Sequence, residues 1–254
     1  MPAVTGEVDT RSTIIVTRSA DRVVVQLNRP EVRNAINQEM VDELHAVCAE
    51  LEATPRTLIL IGGDGIFASG ADIAELRART STDALKGINT MLFIRVAELP
   101  MPVIAAIDGY ALGGGAELAY AADFRIGTPR AKLGNPETGL GIVAPAGALW
   151  RLRELVGEPL AKEILLAGRI LTADEALAAH LLTRISEPKG LLGAAHALAD
   201  EIASKSVDAT IATKAIMRVD RGRHPQLDLE AQAVLFDSAE KHSRMTEFLD
   251  RRSQ

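Results

Sequence analysis

The chain is poor in cysteine, in aromatic residues and in surplus positive charge. One cysteine in 254 residues excludes an internal disulfide framework and any zinc site built on several thiolates, and it fits a reducing compartment. Aromatic residues make up 3%, so Ala, Leu, Ile and Val must fill the interior. Lys and Arg number 28 against 34 Asp and Glu, a net charge of −6, whereas a nucleic-acid binder carries a basic surplus. A local cationic patch for a small anionic ligand stays compatible with this balance. The longest apolar stretch, residues 101–122, is interrupted by Asp108, by Gly113, Gly114 and Gly115, and by Glu117. A bilayer span needs roughly 18–20 largely uncharged residues, so this stretch reads as core. Residues 1–7 offer no basic region followed by an apolar one, so no signal peptide is expected and a cytoplasmic location is the default.

What is present is an ordinary globular composition, 47% apolar and 24% charged, long enough for one large domain or one with an appendage. Residues 13–17 and 22–27 are short β-branched runs that read as a hairpin ended by Pro30. From Asn37, the residues Met40, Val41, Leu44, Val47, Cys48 and Leu51 recur at helical spacing up to Thr54-Pro55. Cys48 lies on that stripe and reads as core. Residues 57–61, 103–107 and 124–127 are further strands, separated by helix-prone stretches at 75–79, 82–99 and 116–121. Strands alternating with helices indicate an α/β class. Beyond residue 191 the pattern is almost wholly helical, at 195–204, 208–219, 227–236 and 246–252. The expected organisation is therefore a core over 1–190 and a C-terminal helical region over 191–254. No internal repeat is evident.

Three segments can carry chemistry. Gly113, Gly114 and Gly115 precede a helix start, where uncovered backbone N–H groups at the positive helix end welcome an anion or a developing oxyanion. Glu117 follows within a turn, and helical Cβ atoms tilt toward the N-terminus, so its carboxylate can return to the same opening. The same residues read equally well as a tight turn packed on a strand. Residues 67–73 form a second Gly-rich bend into a helix start. By themselves they suggest a turn capped by Asp72; paired with the first bend, they offer a second N–H. Glu137 stands in a third, Gly- and Pro-rich stretch at 133–141, where a lone glutamate is ordinarily solvated. Neither G-x-G-x-x-G nor a phosphate loop occurs, and Ser69 lacks a nucleophile elbow. His45, His180, His196, His224 and His242 are scattered without H-E-x-x-H, so no metal site is expected.

In this order the segments resemble the enoyl-CoA hydratase/isomerase (crotonase) family. The resemblance runs through 27–37, 67–73, 102–109, 113–118, 123–126, 135–141 and 169–175. It implies an α/β fold, a spiral of ββα units, with a C-terminal helical region used in trimer formation, often as dimers of trimers. It implies an oxyanion hole on the N–H groups of Ala71 and Gly114, and the two hydratase glutamates at Glu117 and Glu137. It further implies contacts to coenzyme A from Arg29, Arg33, Ala35, Ala71, Asp72 and Ile73, with Phe248 and Arg251 reaching it from the C-terminal region, in some relatives across a subunit boundary. Coenzyme A is then part of the substrate, and no separate cofactor is required. One stretch departs from the family pattern. At 143–152 Pro145 replaces a usual glycine, which removes a backbone N–H beside the expected water position, and Leu149-Trp150 replaces a polar pair.

The implied function is a hydro-lyase of fatty acid metabolism that hydrates 2-enoyl-CoA to 3-hydroxyacyl-CoA. A Δ3,Δ2-enoyl-CoA isomerase on the same scaffold is the alternative enzyme, and a non-catalytic acyl-CoA-binding protein is the alternative of another class. Within the acid pair, the helix position of Glu117 predicts that it ionises more easily and serves as the base toward water, with Glu137 as the acid toward Cα.

Overall fold

The computed structural model describes residues 6–252. It opens with an antiparallel meander of β1 (Glu7–Thr10), β2 (Ile14–Arg18) and β3 (Arg22–Leu27). Only the β2–β3 hairpin was legible as pattern, because β1 is mostly exposed and carries no apolar alternation. Helix α1 (Gln38–Ala53) follows, its first turn capped by the Asn37 side chain, which accepts the Met40 amide at 3.0 Å. The cap satisfies an amide that has no partner within the helix. The apolar stripe of α1 is buried, Cys48 included, and burial pushes that thiol up to about 12.

The chain then alternates between two sheets. β4 (Thr57–Ile61) joins β3 in parallel, and β5 (Ile66–Ala68) leaves for a second sheet. Helices α2 (Ile73–Ala78), α3 (Ser81–Leu85) and α4 (Ile88–Glu98) come next. The single helix expected over 82–99 is broken at Gly87, which adopts a left-handed conformation with φ 62°. β6 (Val103–Ile107) lies beside β4, β7 (Tyr110–Leu112) beside β5, and α5 (Gly114–Ala121) returns. β8 (Phe124–Gly127) and β9 (Lys132–Gly134) repeat the step once more. Each turn of this spiral gives one strand to the larger sheet and one to the smaller. The repeat is invisible in the sequence because its second strand is only three residues long in every turn.

The remaining elements of this part are α6 (Arg153–Val156), α7 (Glu158–Ala167), β10 (Leu171–Thr172), α8 (Ala173–Ala178) and β11 (Arg184–Ile185). The larger sheet has the order β1-β2-β3-β4-β6-β8-β11, the smaller β10-β9-β7-β5. Every residue of β6 is buried, as a parallel strand covered on both faces must be. Val103, Ile104 and Ile107 each contribute about 1.5–3 kcal/mol relative to exposure.

Helices α9 (Leu191–Ala203), α10 (Val207–Ile216), α11 (Gln226–Phe236) and α12 (Ala239–Arg252) complete the chain. Contacts divide the molecule into a unit up to Ala199 and a second from Asp200, inside α9 and later than the division at 190/191 that composition suggests. The second unit keeps many apolar side chains exposed, Met217, Leu229 and Val234 among them. No helix among the described residues is long and apolar enough to cross a membrane.

Candidate active site

The glycines at the head of α5 bring two chain turns together. A Cβ on Gly115 would stand 2.3 Å from the Ala68 carbonyl oxygen, so α5 packs against β5 at a distance that only glycine permits. Gly113 has φ 52° and ψ −126°, a conformation that side-chain-bearing residues avoid. The helix start thereby lies against the 70–71 bend. A Cβ on Gly114 would be 3.3 Å from the Ala71 nitrogen, and one on Gly70 would be 3.9 Å from the Gly114 nitrogen.

Both amides are left over by the local hydrogen bonding. Gly114 is the first residue of α5, so its N–H has no acceptor within the helix. The Ile36 amide donates to the Gly70 carbonyl at 2.8 Å, and the Asp72 amide to the Ile36 carbonyl at 2.9 Å. This parallel bridge uses the groups on either side of Ala71 and leaves its own N–H out. Two neighbouring N–H donors of this kind can grip one oxygen that acquires negative charge.

Two carboxyl groups flank this position. Glu117, on the first turn of α5, is 3% exposed, and its Oε1 accepts the amides of Ala146 at 2.7 Å and Ala148 at 3.2 Å. Glu137 opens a short 3-10 turn (Glu137–Leu140) rather than an irregular loop. Its Oε1 lies 3.1 Å from where a Gly113 Cβ would be and accepts from Asn135 Nδ2 at 3.4 Å. Its Oε2 is buried without a hydrogen-bond partner. Burial raises the Glu117 carboxyl to about 8, helped by the nearby Glu137 charge and opposed by the two amides. Burial also raises Glu137, which the Asn135 contact opposes. The expectation that Glu117 ionises more easily is therefore corrected. Desolvation of a nearly inaccessible carboxyl outweighs the helix N-terminus, and two raised carboxyls this close share a proton.

The Pro145 departure has a structural answer. The two residues that donate to Glu117, Ala146 and Ala148, follow the proline, while the Pro145 carbonyl accepts the Thr90 hydroxyl at 3.3 Å. Sequence reading missed these amides, because a main-chain donor leaves no residue signature. It also missed Asn89, whose Nδ2 lies 3.4 Å from a Gly114 Cβ position, and the pair Tyr120 and Asn135, joined by a hydrogen bond of 3.0 Å. For Tyr120 a signal existed, since it follows Glu117 by three residues on one helix face.

The residues expected at coenzyme A fall into two groups. Arg29 donates to the Ala35 carbonyl at 2.5 Å and to Asp72 at 3.2 Å, so the 29–35 loop and the 71–73 bend are tied together. Ala71 and Asp72 are half-buried beside it, while Arg33 and Ile73 are exposed. Phe248 and Arg251 belong to α12 in the second unit, where Phe248 is exposed and Arg251 pairs with Glu247 at 3.4 Å.

Comparison with known proteins identifies the family and the fold. A family model described as enoyl-CoA hydratase/isomerase matches residues 18–254. A short-chain-enoyl-CoA hydratase of Clostridium acetobutylicum is 34% identical over 250 residues, covering 94% of this chain and 95% of that protein. A crotonyl-CoA hydratase of Syntrophomonas wolfei is 34% identical over 248 residues, with 94% and 95% covered. The crystal structure of an enoyl-CoA hydratase from Bacillus anthracis superposes with a TM-score of 0.89 at 31% identity, covering 94% of this chain and 97% of that one.

Proposed function

The chain belongs to the enoyl-CoA hydratase/isomerase family, and from that premise we propose that it adds water across the double bond of a 2-enoyl-CoA thioester to give the 3-hydroxyacyl-CoA. The observation that carries the reading is a pair of interacting buried carboxyl groups, Glu117 on the first turn of α5 and Glu137 against Gly113, where that helix start meets the Ala71 amide. The hydratase names of the relatives above support the same reading.

Water attacks Cβ, and electron density moves through Cα onto the thioester oxygen. The Ala71 and Gly114 amides stabilise that oxyanion, at roughly 3–4 kcal/mol each by comparison with other oxyanion holes. The enolate then takes a proton at Cα, and the water loses one. One carboxyl must enter the step protonated and the other ionised, which is the state a close buried pair adopts when it shares one proton. Glu137 lies against Gly113, next to the carbonyl-binding amides, and so addresses Cα. Glu117 lies deeper, against the 146–148 amides, and addresses the water. The shared proton serves from Glu137, and the two amides on Glu117 Oε1 stabilise the carboxylate that takes the water proton.

Around this centre, Arg29, Arg33, Ala35, Ala71, Asp72 and Ile73 form the proposed contact surface for coenzyme A, which enters as part of the substrate and leaves as part of the product. The exposed apolar side chains of the second unit support self-association as a trimer or a dimer of trimers. Size measurement would then report about three or six times the 27.1 kDa chain.

Incubation with crotonyl-CoA tests the activity, since hydration removes the ultraviolet absorbance of the conjugated enoyl thioester. Conversion of a 3-enoyl-CoA without hydration identifies an isomerase instead. Tight binding without turnover identifies a binding protein.

A further inference from the structure

A buried polar chain stands behind the site, outside the acid pair and the two amides. Tyr120 is completely buried and Asn135 is 1% exposed. The Tyr120 hydroxyl donates to Asn135 Oδ1 at 3.0 Å. Asn135 Nδ2 then donates to the Gly113 carbonyl and to Glu137 Oε1, each at 3.4 Å. The orientation of the amide is decided by its neighbours. A carbonyl and a carboxylate only accept, so the NH2 end must face them and the oxygen end must face the hydroxyl. Burial also pushes the Tyr120 hydroxyl to stay protonated, so it is a donor at every working pH.

Gly113 and Gly114 share one peptide plane, and in a trans peptide the C=O and N–H point in opposite directions. Whatever holds the Gly113 carbonyl therefore aims the Gly114 N–H. A peptide between two glycines is also the easiest kind to turn over, because neither residue has a Cβ to oppose it. The Gly113 carbonyl already takes the Glu117 amide at 3.0 Å, and Asn135 occupies its second lone pair. The other hydrogen of the same NH2 holds Glu137 Oε1, leaving Oε2 as the oxygen without a partner.

We propose that Asn135, oriented by Tyr120, is a positioning residue that locks the Gly113–Gly114 peptide with its N–H toward the thioester oxygen and at the same time fixes the carboxylate of Glu137. One side-chain amide thus sets the register between the oxyanion-binding donor and the acid that serves Cα. This rests on the hydratase reading for its kinetic consequence, but the orientation of the Gly114 amide does not depend on turnover.

The test uses the full chain, with Asn135→Ala, Tyr120→Phe and the double variant. Two readouts are needed: kcat and KM for crotonyl-CoA, and the red shift of a bound arylacryloyl-CoA, whose absorbance reports how strongly the thioester carbonyl is polarised. The expected result for Asn135→Ala is a fall in kcat of about 100-fold with KM within about threefold, since the lost interaction is made in the transition state. The red shift should be lost with it. Tyr120→Phe should lose about tenfold, and the double variant no more than Asn135→Ala alone, since Tyr120 acts through Asn135. If Asn135→Ala does not fold, Asn135→Asp keeps the acceptor for Tyr120, removes both donors and decides in its place. Unchanged kcat with an intact red shift in a folded variant overturns the proposal, as does a loss confined to KM. If the natural protein gives a red shift that Asn135→Ala abolishes but hydrates nothing, the hydratase reading fails and the positioning role stands. If the natural protein gives no red shift, the positioning role fails.

Discussion

The Ala146 amide donates to Glu117 Oε1 at 2.7 Å, joining residues 29 positions apart in the chain. The innermost carboxyl of the site is thus held by a surface-derived turn that also supplies the Ala148 amide. Two N–H donors on one oxygen prepare Glu117 for a negative charge that its burial otherwise disfavours. The acid is kept near the point where it can both hold and release a proton.

Glu117→Gln and Glu137→Gln should each lower kcat for crotonyl-CoA hydration by at least about 100-fold, the scale of acid–base catalysis. KM should change by less than about fivefold, because neither group is needed to bind coenzyme A. Steady-state kinetics at neutral pH checks this, and full turnover in either variant removes the acid pair from the mechanism.

The pH dependence follows from the shared proton. Below the working range both carboxyls are protonated and no base remains. Above about 8, where the pair gives up its last proton, no acid remains. The kcat/KM profile should therefore be bell-shaped, with its alkaline limb near pH 8. A rate that stays level through pH 9.5 contradicts this assignment.

The same burial predicts a stability effect. Glu117 titrates near the ordinary glutamate value of 4.5 when unfolded and at about 8 when folded, so the folded form prefers the acid. Its favourable contribution is complete below 4.5 and is lost as pH rises through about 8. Glu117→Gln lacks this loss and keeps an acceptor for the two amides. Its Tm should exceed that of the natural chain by a margin that grows between pH 5 and 8 and then levels off.

Gly115→Ala should be strongly destabilising. The added methyl meets the Ala68 carbonyl oxygen at 2.3 Å, and neither strand nor helix backbone can yield without moving the site. Overpacking of this kind costs about 1–3 kcal/mol or more, read as a lower midpoint in urea together with lost hydration.

Arg33→Gln should raise KM for crotonyl-CoA by about three- to tenfold while kcat holds, since an exposed cation contributes binding that is equal in the ground and transition states. Increasing salt should lower the affinity of the natural chain more steeply than that of the variant.

The elements that were readable in advance share one property: their signal is local. Asn37 caps α1 and Met40 to Leu51 form its buried face, as residue spacing alone indicates. β4, β6 and β8 are short apolar runs bounded by breakers. The smaller sheet was not readable, because strands of two or three residues have no periodicity to detect and exist by pairing with chain far away in sequence. The break at Gly87 was likewise hidden, since a single glycine is tolerated within many helices.

At the site, residue identity marked Glu117, Glu137 and the glycines that let Ala71 and Gly114 approach, because side-chain chemistry and the absence of a Cβ are written directly in the residue types. That burial raises both carboxyls, which main-chain amides hold Glu117, and how Tyr120 and Asn135 join Glu137 to the Gly113 carbonyl were decided only by the folded chain. Those properties depend on how much water is excluded and on donors contributed by segments 15 to 31 residues apart. Solvent exclusion and hydrogen-bond partnership belong to the packed arrangement, so no single stretch of residues contains them.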